Sequence, residues 1–333
     1  MRKALCNTLW EGLNKVTEAR AKLEAILIKA DQDGIDQDEL QETEKLFHDS
    51  ISAYRSLLEN AQQLPDGRAI YATDYLALQL LAADNSHSID IENIIRTLGE
   101  GSFNKERRII RLSLAECGLK NIAAVAGLKA LIELDLTENK ISDISALAKL
   151  KNLKKVELFG NQITDITALA ELIELKHLNL SRNQITNIAS IAKLTELDRL
   201  HLNSNQIEDI SPIARLIKLS TLDLVNNQVV IITPASQLTG LTWLNLSSNQ
   251  IIDANSLCYL TNLTCLAIAN NQLVDISAFA KLTALESLTI SGNQITDISP
   301  LAGLAIFATQ KLNCTDNPLS EESQQLLKSS AAT

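Results

Sequence analysis

Residues 178–200 read LNLSRNQITNIASIAKLTELDRL. Leu178 and Leu180 alternate with variable neighbours, Asn183 follows three residues later, and Ile185 and Ile188 complete the phrase before it restarts at Leu200. Leucines at every second position predict a short strand with one apolar side and one variable side. The pattern L-x-x-L-x-L-x-x-N-x-I recurs from about residue 109, with its asparagines at Asn139, Asn161, Asn183, Asn205, Asn227, Asn249, Asn271 and Asn293, every step being 22 residues. Upstream, Cys117 holds the asparagine position in a degenerate copy. Downstream, Leu312, Cys314 and Asn317 repeat the phrase after a 24-residue step.

A fixed period of this length specifies a solenoid. No coil can bury its leucines alone, but stacked neighbours bury them jointly. The asparagine turns the chain inward, and its amide can bond backbone groups of neighbouring coils that would otherwise be buried without partners. Four residues further on stands a short acid or amide in most copies (Asp143, Asp165, Asn187, Asp209, Asp253, Asp275, Asp297). Such a side chain caps a brief helical or 3₁₀ turn on the convex side. One copy departs from this: Ile231 replaces the acid and is followed by Ile232-Thr233-Pro234, so an irregular, more apolar convex surface is expected there.

These residues resemble the 22-residue leucine-rich repeats of the internalin and SDS22-like class over roughly residues 107–319. The resemblance implies an α/β solenoid: a horseshoe with a parallel concave sheet and short convex helical or 3₁₀ turns, preceded by an all-helical N-terminal cap. It also implies protein binding, without naming the partner.

The flanks read differently from the array. Residues 1–104 have no repeat and carry a net charge of −8, against −2 for the remainder. Leu9, Leu13, Val16, Arg20, Leu23 and Leu27 trace one helical stripe. A second helix is expected from about Asp36 to Asn60, burying Leu40, Leu46, Phe47 and Ile51 among others, with further helices near 70–83 and 90–98. The turn at 31–39 suggests a calcium loop, but the ligand spacing fails by one residue and puts Lys29 at the first position. Ser320 ahead of Glu321 and Glu322 predicts a short closing helix, with a frayed tail after Lys328. The expected domains are an acidic helical cap over 1–104, about ten coils over 105–319, and a capping helix with tail over 320–333.

Composition narrows the function. A net charge of −10 disfavours nucleic acid and anionic membranes as partners. Five cysteines without C-x-x-C spacing fit reduced thiols. Met1-Arg2-Lys3 is not followed by an apolar h-region, and no run of ~18–20 apolar residues is present. A soluble, monomeric protein is expected, cytoplasmic or secreted without a cleavable signal peptide. The Ser/Thr-rich tail faintly resembles C-terminal secretion signals of bacterial effectors.

Strand positions six, four and two before each ladder residue are expected to face solvent on the concave side. Phe159, His177, Arg199, His201, Asp223 and Trp243 then form one patch that contains an exposed tryptophan, in a chain with two tryptophans. Trp, Tyr and Arg dominate binding hot spots. His177, His201 and Asp223 offer too few ligands for a metal on an open face. Cys314-Thr315-Asp316 resembles the C-x-D motif of leucine-rich-repeat ubiquitin ligases, but Cys314 falls on an inward position, which makes it a core thiol. The expectation is a non-enzymatic interaction scaffold without metal or cofactor. The alternatives are an effector that captures a host protein, or an enzyme with its chemistry in the N-terminal helices.

Overall fold

The computed structural model describes residues 15–16, 18–22, 37–59, 72–85, 90, 94, 97–309 and 311–330. The chain forms two compact units, residues 1–80 with 103–109, and residues 81–102 with 110–333. Most of the first predicted helix and the loop at 31–36 lie outside the described residues.

In the first unit, helix α1 (Gln37–Glu59) and the start of helix α2 (Ala72–Asp84), which runs across the division, supply the regular structure. Phe47, Ile51, Tyr75, Leu76 and Leu80 pack on buried Val16. Leu46, which the periodicity places on the buried stripe, is half exposed instead. Asp74 is fully buried. Its carboxylate accepts the Ile109 N–H at 2.7 Å and Nε of Arg108 at 3.0 Å. A buried charge is tolerated because it is paired and hydrogen-bonded in this way.

The second unit is the array. Ten short strands, β1 (Arg111–Ser113), β2 (Glu133–Asp135), β3 (Lys155–Glu157), β4 (His177–Asn179), β5 (Arg199–His201), β6 (Thr221–Asp223), β7 (Trp243–Asn245), β8 (Cys265–Ala267), β9 (Ser287–Thr289) and β10 (Leu312–Asn313), form one parallel sheet in chain order. Residues one repeat apart are register partners, as in His177 with Arg199 and Leu178 with Leu200. Coils are numbered below by their strand. The first nine return through a 3₁₀ turn, such as Ser145–Lys149, on the convex side. The core is a stack of leucines and isoleucines, nearly all without solvent exposure.

The ladder holds the coils together. Asn205 accepts the Ile185 N–H of the preceding coil at 3.0 Å and donates to the carbonyls of Leu180 (3.0 Å) and Leu202 (2.9 Å). The same arrangement recurs from Asn139 to Asn293, and Asn317 reproduces it across the longer last step. Cys117 cannot do this; its thiol reaches only the carbonyl of Ala115, at 3.4 Å. Nearby, Asn85 accepts the backbone N–H groups of Lys120 and Asn121 and donates to the Asn121 carbonyl, pairing the open backbone of the first coil.

The convex acids behave as the spacing predicts. Asp143 accepts the Ser145 N–H at 2.8 Å, and Asp165, Asn187, Asp209, Asp253, Asp275 and Asp297 repeat the bond. Immediately before the ladder position every coil turns through a left-handed residue: Glu116, Glu138, Gly160, Arg182, Ser204, Asn226, Ser248, Asn270, Gly292 and Asp316. Only two of these are glycine, so the stacked hydrogen bonds hold a conformation that costs ordinary residues roughly 1 kcal/mol each. At the far end helix α3 (Glu321–Ser330) closes the stack. Ser320 Oγ accepts the Ser323 N–H, and buried Ser323 in turn accepts the N–H of Ile298. The helix continues two residues past Lys328, where fraying was expected.

Candidate functional site

The concave sheet carries three rows of outward side chains. In the outermost row Arg111, Glu133, Lys155, His177, Arg199, Thr221, Trp243, Cys265 and Ser287 are successive register partners. The middle row runs from Ser113 through Asp135, Glu157, Asn179, His201, Asp223 and Asn245 to Asn313. Strand spacing of about 4.8 Å makes each row a line of near neighbours. The row nearest the ladder departs from the solvent-facing expectation at two places. Ser181 and Ala269 are buried there.

Phe159, His177, Arg199, His201, Asp223 and Trp243 occupy coils three to seven, the last five on strands β4 to β7 and Phe159 two residues past β3. Arg199 is exposed and the other five are half-buried among their neighbours. The ring of Phe159 is roofed by Arg182, whose guanidinium carbon lies 5.2 Å from the ring centroid. This cation–π contact had no sequence signal, since Arg182 is one position before the ladder residue and outside the three rows.

The histidines do not converge on a shared ligand. His177 Nε2 lies 2.9 Å from Glu157 Oε1, whereas His201 Nδ1 lies 4.0 Å from Asp223 Oδ2. Their rings are tilted neighbours with centroids 5.6 Å apart. Glu157 also pairs with Lys155 at 3.2 Å. Burial by itself would raise the Glu157 carboxyl, but the contacts with His177, Asn179 and Lys155 outweigh it and hold the pKa down at about 2. Glu157 is therefore the fixed negative charge at the head of the patch. The row pattern lists it without marking it, because the diagonal approach of His177 from the next strand depends on rotamers. Toward coil one the face continues as a charged groove of about 530 Å³ lined by Arg111, Glu133, Asp135 and Lys155 among others.

Cys314 is buried at an inward position, and burial pushes its thiol up. Cys117 is raised as well, first by burial and then by the charge of Asp135.

With this geometry established, comparison with known proteins gives a consistent result. A family model described as leucine-rich repeats (2 copies) matches residues 129–171, 173–215 and 261–303. Internalin C2 of Listeria monocytogenes is 32% identical over 64% of this chain and 81% of its own, with a TM-score of 0.46. The chain belongs to the leucine-rich-repeat family. This leucine-rich-repeat protein is also similar to a leucine-rich-repeat protein of Leptospira interrogans, at 29% identity and a TM-score of 0.61, over 66% of this chain and 58% of that one. The match thus spans less than two thirds of the Leptospira protein. The repeat ectodomain of the plant receptor kinase GASSHO1/SCHENGEN3 of Arabidopsis thaliana, solved in complex with Casparian strip integrity factor 2, has the same fold at 24% identity. Its TM-score is 0.52, with 63% of this chain and 30% of that one covered. No curated protein sequence matches the leucine-rich-repeat chain. Among its described residues no helix is long and apolar enough to cross a membrane.

Proposed function

We propose that this chain is a non-enzymatic scaffold that holds a partner protein along the concave face of coils three to seven. One observation carries the reading: His177, Arg199, His201, Asp223 and Trp243 follow one another on the consecutive strands β4 to β7 of a single open face, with Phe159 just past β3 and a tryptophan and an arginine among them. Tryptophan and arginine contribute disproportionately to protein interfaces. The rigid sheet presents them without ordering a loop, which lowers the entropic cost of association. The repeat ectodomain of GASSHO1/SCHENGEN3, which has this fold, was solved in complex with Casparian strip integrity factor 2.

The face is also divided. Coils three to seven are charged and aromatic, whereas coils eight and nine show Cys265, Ala267, Ser287 and Thr289. The partner's contact energy is therefore concentrated on the first part, and small residues beyond it admit close approach of a backbone. Affinity purification with wild type and the Trp243→Ala/Arg199→Ala double variant tests the reading. A partner protein recovered by wild type and lost by the double variant is expected. Equal recovery of every partner by both would remove this face from the function.

A further inference from the structure

The convex surface of coils six to eight breaks the repeat in three rows at once. In the row three residues past the ladder, Ser142, Thr164, Thr186 and Glu208 give way to Val230, Ile252 and Val274. In the next row the aspartates lapse at Ile231. In the row ten past the ladder, Lys193 and Arg215 give way to Gln237 and Tyr259 before Lys281 restores the charge. Val230, Ile231, Ile252, Tyr259 and Val274 are all exposed, between 43% and 67%. Two open grooves of about 740 and 900 Å³ border Ile231, so the acid-side and base-side rows look onto the same surface. Together these five side chains offer roughly 500 Å² of apolar surface, at the upper end of what monomers leave uncovered.

We propose that this surface is a homodimer interface in which two copies pack back to back, related by a two-fold axis parallel to the stack of coils. Such an axis leaves each coil opposite the same coil of the other copy and exchanges the two flanking rows. The acid side of one copy then meets the base side of the other. In coil five, Glu208 and Asp209 face the partner's Arg215; in coil eight, Asp275 faces the partner's Lys281. Between them, Ile252 meets the partner's Tyr259, and Ile231 meets the stem of the partner's Gln237. Among the described residues neither Arg215 nor Lys281 has an ion-pair partner within the chain. The acid-side and base-side rows are therefore complementary at coils five and eight, with apolar side chains facing one another between them, as an isologous contact requires. An antiparallel axis would set aspartates against aspartates.

Convex surfaces touch over only a few coils, and those available here are the ones in which apolar side chains replace most of the charges, with Asp253 the acid retained between Ile231 and Asp275. Covering the patch on both copies buries about 1,000 Å², the lower bound for a specific interface, so a dissociation constant on the order of 10 μM is expected. This departs from the monomer that composition suggests. Back-to-back packing leaves both concave sheets outward, so one assembly presents two docking faces.

Sedimentation equilibrium across about 1–200 μM tests the proposal, since a reversible dimer follows mass action. Wild type is expected to pass from the monomer to the dimer mass. Ile231→Asp restores the acid found at this position in neighbouring coils, so it keeps the fold and adds a cap for the Thr233 N–H. It is expected to raise the dissociation constant at least ~30-fold by burying a carboxylate that faces no opposite charge. Glu208→Lys and Arg215→Glu are each expected to weaken the dimer, and the double reversal to return it to within about 3-fold of wild type. A wild-type monomer at the highest concentration overturns the proposal. A dimer unaffected by Ile231→Asp overturns it too, and failure of the double reversal to rescue overturns the parallel axis.

Discussion

Asn205→Ala removes one rung from the middle of the ladder, and the hydrogen bonds allow its cost to be worked out. The side chain accepts one backbone N–H and donates to two carbonyls at 2.9–3.0 Å. The three groups are not equally exposed to the loss. The Leu180 carbonyl keeps its bond from Asn183, and that of Leu202 keeps its bond from Asn227. Only the buried N–H of Ile185 is left without a partner. A stranded buried donor costs ~1–3 kcal/mol and each lost bond to a still-paired carbonyl ~0.5–1, so about 3 kcal/mol is expected in all. Asn317→Ala removes the equivalent bonds where water reaches the last coil, and about 1 kcal/mol is expected there. Asn205→Asp keeps the acceptor but turns an oxygen toward both carbonyls, so its cost rises with pH as the carboxyl ionises. Urea unfolding followed by circular dichroism measures these differences, with amide exchange at Ile185 as a local check, since repeat arrays do not always unfold in one step. A cost below about 1 kcal/mol for Asn205→Ala, or equal costs at the two sites, would refute the ladder argument.

Two further outcomes follow from the same structure. Glu157 has its folded pKa depressed from 4.5 to about 2, so its contribution to stability is complete above pH 4.5 and is lost as the pH falls toward 2. Urea midpoints measured at pH 5 and pH 2.5 are expected to fall further for wild type than for Glu157→Gln. Gly160→Ala places a methyl group on a residue with φ of 68°, within 2.7 Å of the movable Glu138 carboxyl carbon, and is expected to cost about 1 kcal/mol by thermal or chemical denaturation.

The solenoid was legible because its determinants repeat. Leu178, Leu180 and Asn183 each recur at one spacing, so strand, buried face and ladder are specified many times over, and one degenerate copy such as Cys117 cannot obscure them. The two outer rows followed from strand alternation alone, and His177, Arg199, Thr221 and Trp243 are successive register partners as alternation requires. It failed at Ser181 and Ala269, where the chain leaves the strand and alternation no longer governs direction. The left-handed turn before each ladder residue was invisible because Glu138, Arg182 and Ser204 do not favour it locally; the stack imposes it. Asp74 is another such case. Its partners Arg108 and Ile109 lie more than thirty residues away, and nothing periodic connects them.

The central claim is that partner contact lies on the concave face. A photo-reactive amino acid placed singly at Thr221 and Asn245 on that face, and at Ile173 and Ile217 elsewhere on the array, tests it directly with the recovered partner. Cross-links from the first two positions and none from the other two are predicted; the opposite pattern would contradict the claim.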